Sequence, residues 1–116
     1  MISMSRERFD QLVEAAFDRI PDELTSMLDN VVLFVEDEAP ADDPDLLGLY
    51  DGTPLTERDS SYSGVLPDRI LMFRNPTLRI CETEEDVVTE VEITVALEIA
   101  HHFGIEDDRL HDLGYA

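Results

Sequence analysis

Apolar residues recur every three or four positions near the start of the chain. This spacing predicts an amphipathic helix from about Arg6 to Ile20, with Ser5 as its N-cap. The apolar stripe of this helix comprises Phe9, Leu12, Val13, Ala16, Phe17 and Ile20. Pro21 stands where a second short helix can begin, and the pair Asp29-Asn30 should end it.

Three later runs are apolar, short and rich in β-branched or leucine residues, which is typical of strands. The first, Val31–Val35, is apolar throughout and is predicted to be a buried strand. The second, Leu46–Tyr50, should end at the turn pair Asp51-Gly52, and a polar stretch without helical period follows it. The third, Arg69–Arg74, should be halted by Asn75-Pro76, with one helical turn after it.

The longest predicted element lies in the last third of the chain. The segment Thr83–Asp86 resembles a capping box, and its acids suit the positive end of a helix dipole. The helix should continue to about Phe103, where Gly104 can take the left-handed conformation that ends it. Asp108–Leu113 predicts one more short helix. Helices, then strands, then helices indicate an α+β fold with a small sheet backed by helices.

Length and charge narrow the classes of protein that this chain can represent. The 116 residues suffice for a single domain, residues 1–116, and 28 acidic residues against 8 basic ones give a net charge of −20. Such a charge repels nucleic acid and anionic membranes, so neither is expected as a partner. A lone cysteine, Cys81, allows no internal disulfide, and the first residues lack the apolar core of a secretory signal. We therefore expect a cytoplasmic protein.

The residues that could carry chemistry lie near the carboxyl end. The short zinc-peptidase pattern reads His-Glu-x-x-His-x-x-Gly-x-x-Asp, in which two histidines one helical turn apart bind the metal and the glutamate is the general base. Glu98, His101, Gly104 and Asp107 occupy four of its five positions in register. Leu97 occupies the fifth, where the first histidine should be.

With these residues the chain resembles the small bacterial zincin-like metallopeptidase family, whose members are reduced to the zincin core. The resemblance also covers Met4–Phe9, Gly48–Gly52, Pro54–Arg58, Arg74–Pro76, Asp108–His111 and a terminal Gly-aromatic pair. It implies a minimal zincin-like fold, in which a small mixed sheet packs against an active-site helix and N-terminal helices. A strand should lie beside that helix. The implied activity is zinc-dependent hydrolysis of a peptide or protein.

The resemblance also implies a role for each matching residue. Glu98 would be the catalytic general base, and His101 and Asp107 would be metal ligands. Leu97 departs from the pattern, because an aliphatic side chain has no lone pair to donate to zinc. Two protein ligands would remain, whereas catalytic zinc sites use three. The expected result is a degenerate site with zinc weakly bound or absent, as in a pseudoenzyme.

The sequence leaves three functions open. The chain could be an active zinc peptidase that uses Glu98, a non-catalytic module that binds a peptide or protein, or an acidic cation-binding protein. A shifted site of Glu98, His101 and Asp107 could still hold a cation, although it would consume the general base. An open edge of the small sheet would also allow a homodimer.

Several of these residues have purely structural interpretations as well. His101 could be a helix-end residue hydrogen-bonded to a neighbouring carboxylate, and His102 is expected to face solvent or to cap the helix. His111 is expected on the surface. Tyr115 should pack under the active-site helix, and Met72 should lie in the core because it belongs to a strand pattern.

Overall fold

The structure, a computed structural model, describes residues 1–52 and 67–115. The elements in this part of the chain are α1 (Arg6–Arg19), α2 (Asp22–Thr25), β1 (Val31–Glu36), β2 (Gly48–Asp51), β3 (Asp68–Phe73), α3 (Arg74–Arg79), α4 (Glu84–Phe103) and α5 (Asp107–Asp112). The predicted α+β fold is confirmed. Most of the predicted polar stretch before the third strand, with its segment Pro54–Arg58, lies outside the described residues.

Local capping fixes the start of α1 as predicted. The Ser5 side chain accepts a hydrogen bond from the Arg8 amide at 3.0 Å, which satisfies one of the free N–H groups of the first turn. The helix buries one stripe, made of Phe9, Leu12, Val13 and Ala16. This stripe packs against α4, so the two longest helices form one layer of the domain.

Both predicted ends of α4 are confirmed. The Thr83 side chain accepts from the Asp86 amide at 3.0 Å. The Asp86 carboxylate accepts in return from the amides of Thr83 at 3.1 Å and Glu82 at 3.0 Å. These main-chain hydrogen bonds lower the pKa of Asp86. At the other end, Gly104 ends the helix with a φ of 71°, a conformation that other residues rarely adopt.

The three strands form a mixed sheet, as predicted, and their order is β1-β3-β2. β1 runs parallel to β3, with Val31 opposite Asp68, and β2 runs antiparallel to β3, with Gly48 opposite Met72. Among residues 1–52 and 67–115, β3 is therefore the central strand, and β1 and β2 are the two edges. The Met72 side chain is 1% exposed, which confirms its predicted place in the core.

The prediction that the first strand is buried was wrong. Partly buried and exposed residues alternate along β1, and Val32 and Phe34 are 39% and 44% exposed. The reason is its position: an edge strand with helices on one face leaves the other face open. A continuous apolar run cannot reveal this, because the sequence does not state how many layers cover the strand.

A helical segment follows the third strand as predicted, but it begins before Asn75-Pro76 rather than after this pair. This helix, α3, begins at Arg74, directly after the last residue of β3, and contains Asn75 and Pro76 in its first turn. Proline fits there because the amides of a first helical turn need no partner within the helix. The Thr77 hydroxyl donates to the Phe73 carbonyl at 2.9 Å and supports the junction.

The core lies between the sheet and the helices. Its largest fully buried side chains include Phe9, Leu24, Ile70, Val87, Val91, Val95 and Ile99. Tyr115 packs against this core as predicted, and its hydroxyl donates to Glu92 of α4 at 2.7 Å. Burial, together with this carboxylate, raises the pKa of Tyr115. No helix in the described part of the chain is long and apolar enough to cross a membrane.

Candidate functional site

A groove of about 360 Å³ runs between α4 and the segment that leads into β2. From the helix side, Thr94, Leu97, Glu98 and His101 line the groove. From the other side it is lined by Asp43, Asp45, Leu46, Leu47 and Gly48. The structure therefore places β2 beside α4 and brings Leu97, Glu98 and His101 to one surface. Leu97 and Glu98 are half-buried there, whereas His101 is exposed.

Gly48 allows β2 to lie this close to α4. A Cβ atom at Gly48 would stand 2.8 Å from Cγ2 of Thr94 and 2.9 Å from the sulfur of Met72. It would also stand 3.0 Å from the carbonyl oxygen of Leu71, a main-chain atom that cannot easily move. The width of the groove thus depends on the missing side chain at this position.

Replacing Gly48 with alanine should destabilise the chain by about 1–3 kcal/mol, the usual cost of forcing extra atoms into a packed region. Urea unfolding of the variant and the parent chain measures the difference. Adding Thr94→Ser removes the methyl group at 2.8 Å and should restore part of the loss, whereas Thr94→Ser alone should change little. An equal loss in the double variant would contradict the close approach of β2 and α4.

Glu98 is hydrogen-bonded to β2, an edge strand among the described strands. The Phe73 amide of β3 donates to the Leu47 carbonyl at 2.9 Å. Counting from Leu47, every second residue along β2 therefore bonds to β3, and the main-chain groups of the residues between them point away from β3. Tyr50 is one of the outward residues, and its amide donates to Oε2 of Glu98 at 3.3 Å. The predicted general base therefore joins α4 to the edge strand.

His102 is exposed, as predicted, but it also takes part in a cluster that sequence reasoning missed. Its ring stacks on the ring of Tyr50, with centroids 3.8 Å apart and planes 16° apart, and Phe103 meets both rings edge-on. The Tyr50 hydroxyl donates to Oδ2 of Asp68 at 2.8 Å, and Nε2 of His102 lies 3.9 Å from the same oxygen. A signal was present in the segment Gly48–Gly52, whose tyrosine lies between two glycines.

The second glycine of that segment makes room for this cluster. A Cβ atom at Gly52 would stand 2.8 Å from Cε1 of His102. We call Tyr50, His102 and Phe103, together with the Asp68 carboxylate that accepts from Tyr50, the aromatic cluster. It joins the end of β2 to the last turn of α4. Gly48 and Gly52 thus permit close contacts between α4 and the two ends of β2.

Asp107 does not line the groove. It is exposed and forms the first residue of α5, three residues beyond Gly104. His111 is exposed on the same helix, as predicted. Within residues 1–52 and 67–115, no three histidine, cysteine, aspartate or glutamate side chains lie close enough together to bind one metal ion.

The donors in the described part of the chain therefore do not fit a zinc ion. Leu97 supplies no lone pair at the first ligand position, and a catalytic zinc site needs three protein ligands. The roles of His101 and Asp107 as metal ligands, and of Glu98 as general base, stay predictions.

Comparisons with known proteins agree with this architecture. A family model described as zincin-like metallopeptidase matches residues 28–115, a range that includes the sheet, the groove and α4. A solved structure of a conserved hypothetical protein from Thermus thermophilus is 26% identical, with a TM-score of 0.55 over 90% of this chain and 99% of that chain. No protein of curated function matches significantly. The chain belongs to the zincin-like metallopeptidase family.

Proposed function

We propose that this chain is a non-catalytic zincin, which uses the groove between α4 and β2 to bind a peptide segment without zinc-dependent hydrolysis. The observation that carries the proposal is Leu97. It lies in the groove beside Glu98 and His101, at the position where the family pattern has its first metal ligand.

The cost of this replacement follows from coordination chemistry. Loss of a group that merely supports a ligand weakens metal binding by roughly 10–100-fold. Loss of an imidazole that binds the metal directly should weaken it further. The isobutyl group of Leu97 also places apolar atoms where an ion would need polar ones, which raises the free-energy cost of removing water from the ion.

The surroundings of Glu98 support a structural role for this carboxylate. A general base must reach the water or group whose proton it accepts. Here one carboxylate oxygen accepts a hydrogen bond from the Tyr50 amide. That bond ties α4 to β2 and stabilises the groove, which is a function that needs no metal.

The walls of the groove are suited to a peptide. Leu46, Leu47 and Leu97 offer apolar surface, and Gly48, the first residue of the edge strand β2, borders the groove with its outward main-chain groups. An extended segment can add to such an edge through main-chain hydrogen bonds while its side chains fill the adjoining hollow. A peptide with apolar side chains would suit the leucine walls.

Metal content and hydrolysis test the proposal directly. Protein purified without chelator should contain well under one zinc ion per chain, and added zinc should not produce cleavage of a quenched-fluorescence peptide library. The variant His101→Ala should leave both results unchanged, as should His111→Ala, its control outside the groove.

The alternative is an active zinc peptidase that uses Glu98 as general base. Exposure of Glu98 and His101 to one groove is the observation that favours it. Near-stoichiometric zinc that is lost in His101→Ala but kept in His111→Ala would establish this alternative. Cleavage that is lost in Glu98→Gln would do the same and would overturn the proposal.

A further inference from the structure

The edge of the sheet opposite β2 offers main-chain groups to a partner. The Asp68 amide of β3 donates to the Asn30 carbonyl at 3.0 Å. Counting from Asn30, every second residue along β1 therefore bonds to β3, and the main-chain groups of the residues between them point away from the sheet. The Arg6 guanidinium donates a hydrogen bond to the outward carbonyl of Val35. Within the described residues, the outward amide and carbonyl of Leu33 have no hydrogen-bond partner.

A groove beside this edge is formed by β1 and α1. It consists of two hollows of about 440 and 320 Å³ that share Glu14 and Leu33 among their lining residues. Val13 and Phe17 of α1 supply apolar surface in it. On the other face of β1, Val32 and Phe34 are 39% and 44% exposed. Alternate side chains of a strand added to this edge would lie on opposite faces. One set would contact the flank of α1, and the other set would lie beside Val32 and Phe34.

The flank of α1 is acidic. Asp10, Glu14 and Asp18 are exposed and lie four residues apart, so they follow one side of the helix beside the groove. Asp10 lies 3.6 Å from Nε of Arg6 and is partly neutralised. Glu14 and Asp18 have no ion pair within the described part of the chain. Two carboxylates are therefore available to a cationic partner at the centre of the groove.

We propose that β1 accepts an extended peptide in which basic and apolar side chains alternate. The basic side chains would face Glu14 and Asp18, and the apolar ones would lie beside Val32 and Phe34. The peptide backbone would pair with the outward groups of Leu33. Alternate side chains of a strand point to opposite faces, which is why the alternation matches the acidic flank on one side and the apolar face on the other.

Charge argues against a second copy of this chain as the occupant. Two copies joined along β1 would each carry a net charge of −20, and each would bring its own acidic α1 flank to the junction. A basic peptide in place of the second copy would be attracted to the acidic flank of α1, so this repulsion would not arise. This site lies at the edge of the sheet opposite the groove of β2 and α4, so it does not depend on the function proposed for that groove.

A synthetic peptide tests the proposal. A labelled peptide of four Lys-Val repeats should bind saturably at low ionic strength, measured by fluorescence anisotropy, and added salt should weaken the binding. Four Glu-Val repeats should not bind. The Lys-Val peptide with alternate backbone amides methylated keeps its charge but cannot pair with the strand edge, and its binding should be lost.

Variants of the protein locate the site. Glu14→Lys with Asp18→Lys should weaken binding about tenfold or more, because two attractive charges become repulsive. Asp42→Lys with Glu106→Lys changes two exposed acids elsewhere by the same charge and should leave binding within about twofold. Leu97→Arg, in the groove of β2 and α4, should also leave it unchanged.

Three results would overturn the proposal. Equal weakening in the two double variants would show attraction to the overall charge alone. Loss of binding in Leu97→Arg would place the peptide in the other groove. Sedimentation that shows a dimer of the parent chain and a monomer of Phe34→Lys would show that a second copy covers β1.

Discussion

Replacing Leu97 with histidine should raise the affinity of this chain for Zn²⁺ by about a hundredfold or more. The new imidazole would stand one helical turn before His101 on α4 and point into the same groove, which recreates the paired ligands of the zinc-peptidase pattern. Competition with a chromophoric chelator measures the change in affinity. The gain should disappear in the double variant Leu97→His with His101→Ala.

Thr89→His provides the matched control for this substitution. Thr89 is exposed on α4, more than two turns before Leu97, so its histidine adds an imidazole to the same helix but not to the groove. Zinc affinity should stay at the parent value. If Leu97→His gains no more affinity than Thr89→His, then Leu97 does not occupy a missing ligand position and the function proposed for the groove loses its basis.

Replacing Phe9 with alanine should lower the free energy of unfolding by about 3–5 kcal/mol. Phe9 is 0% exposed and belongs to the α1 stripe that packs against α4, so its removal leaves a cavity in the core. Urea unfolding followed by far-ultraviolet circular dichroism measures the loss. The effect is large relative to the whole stability of a domain of this size.

Phe34→Ala is the control, because it removes the same atoms from a different environment. The Phe34 side chain is 44% exposed on the outer face of β1, and its loss should cost about 1 kcal/mol or less. Comparable losses at Phe9 and Phe34 would contradict the division of the molecule into a core layer and an open sheet face.

Elements with strong local signals were predictable from the sequence. Ser5 and Thr83 cap helices through bonds to residues three positions ahead, and Gly104 ends α4 through its own backbone conformation. The exposure of β1 was not predictable, because it depends on which strands and helices surround it. The start of α3 at Arg74 was missed for a related reason: proline is compatible both with a turn and with a first helical turn.

The candidate site divides in the same way. Leu97, Glu98 and His101 lie within five residues of one helix, so helical geometry alone brings them to one groove. The aromatic cluster joins Tyr50 and Asp68 to the end of α4, and these positions are far apart in sequence. Such contacts follow from the tertiary fold and leave no periodic signal. The position of Asp107 depends on the turn at Gly104 and on the path of α5, and the motif specifies neither.

The order of the strands has a consequence for how this chain acquires its structure. The strand that occupies the middle of the sheet is the last of the three to leave the ribosome. Among the described strands, β1 and β2 have no common neighbour until residues 68–73 are available. The apolar stripe of α1 is covered later still, by α4. Productive folding should therefore be a late, cooperative event, and a chain truncated after residue 52 should remain open and sensitive to proteolysis.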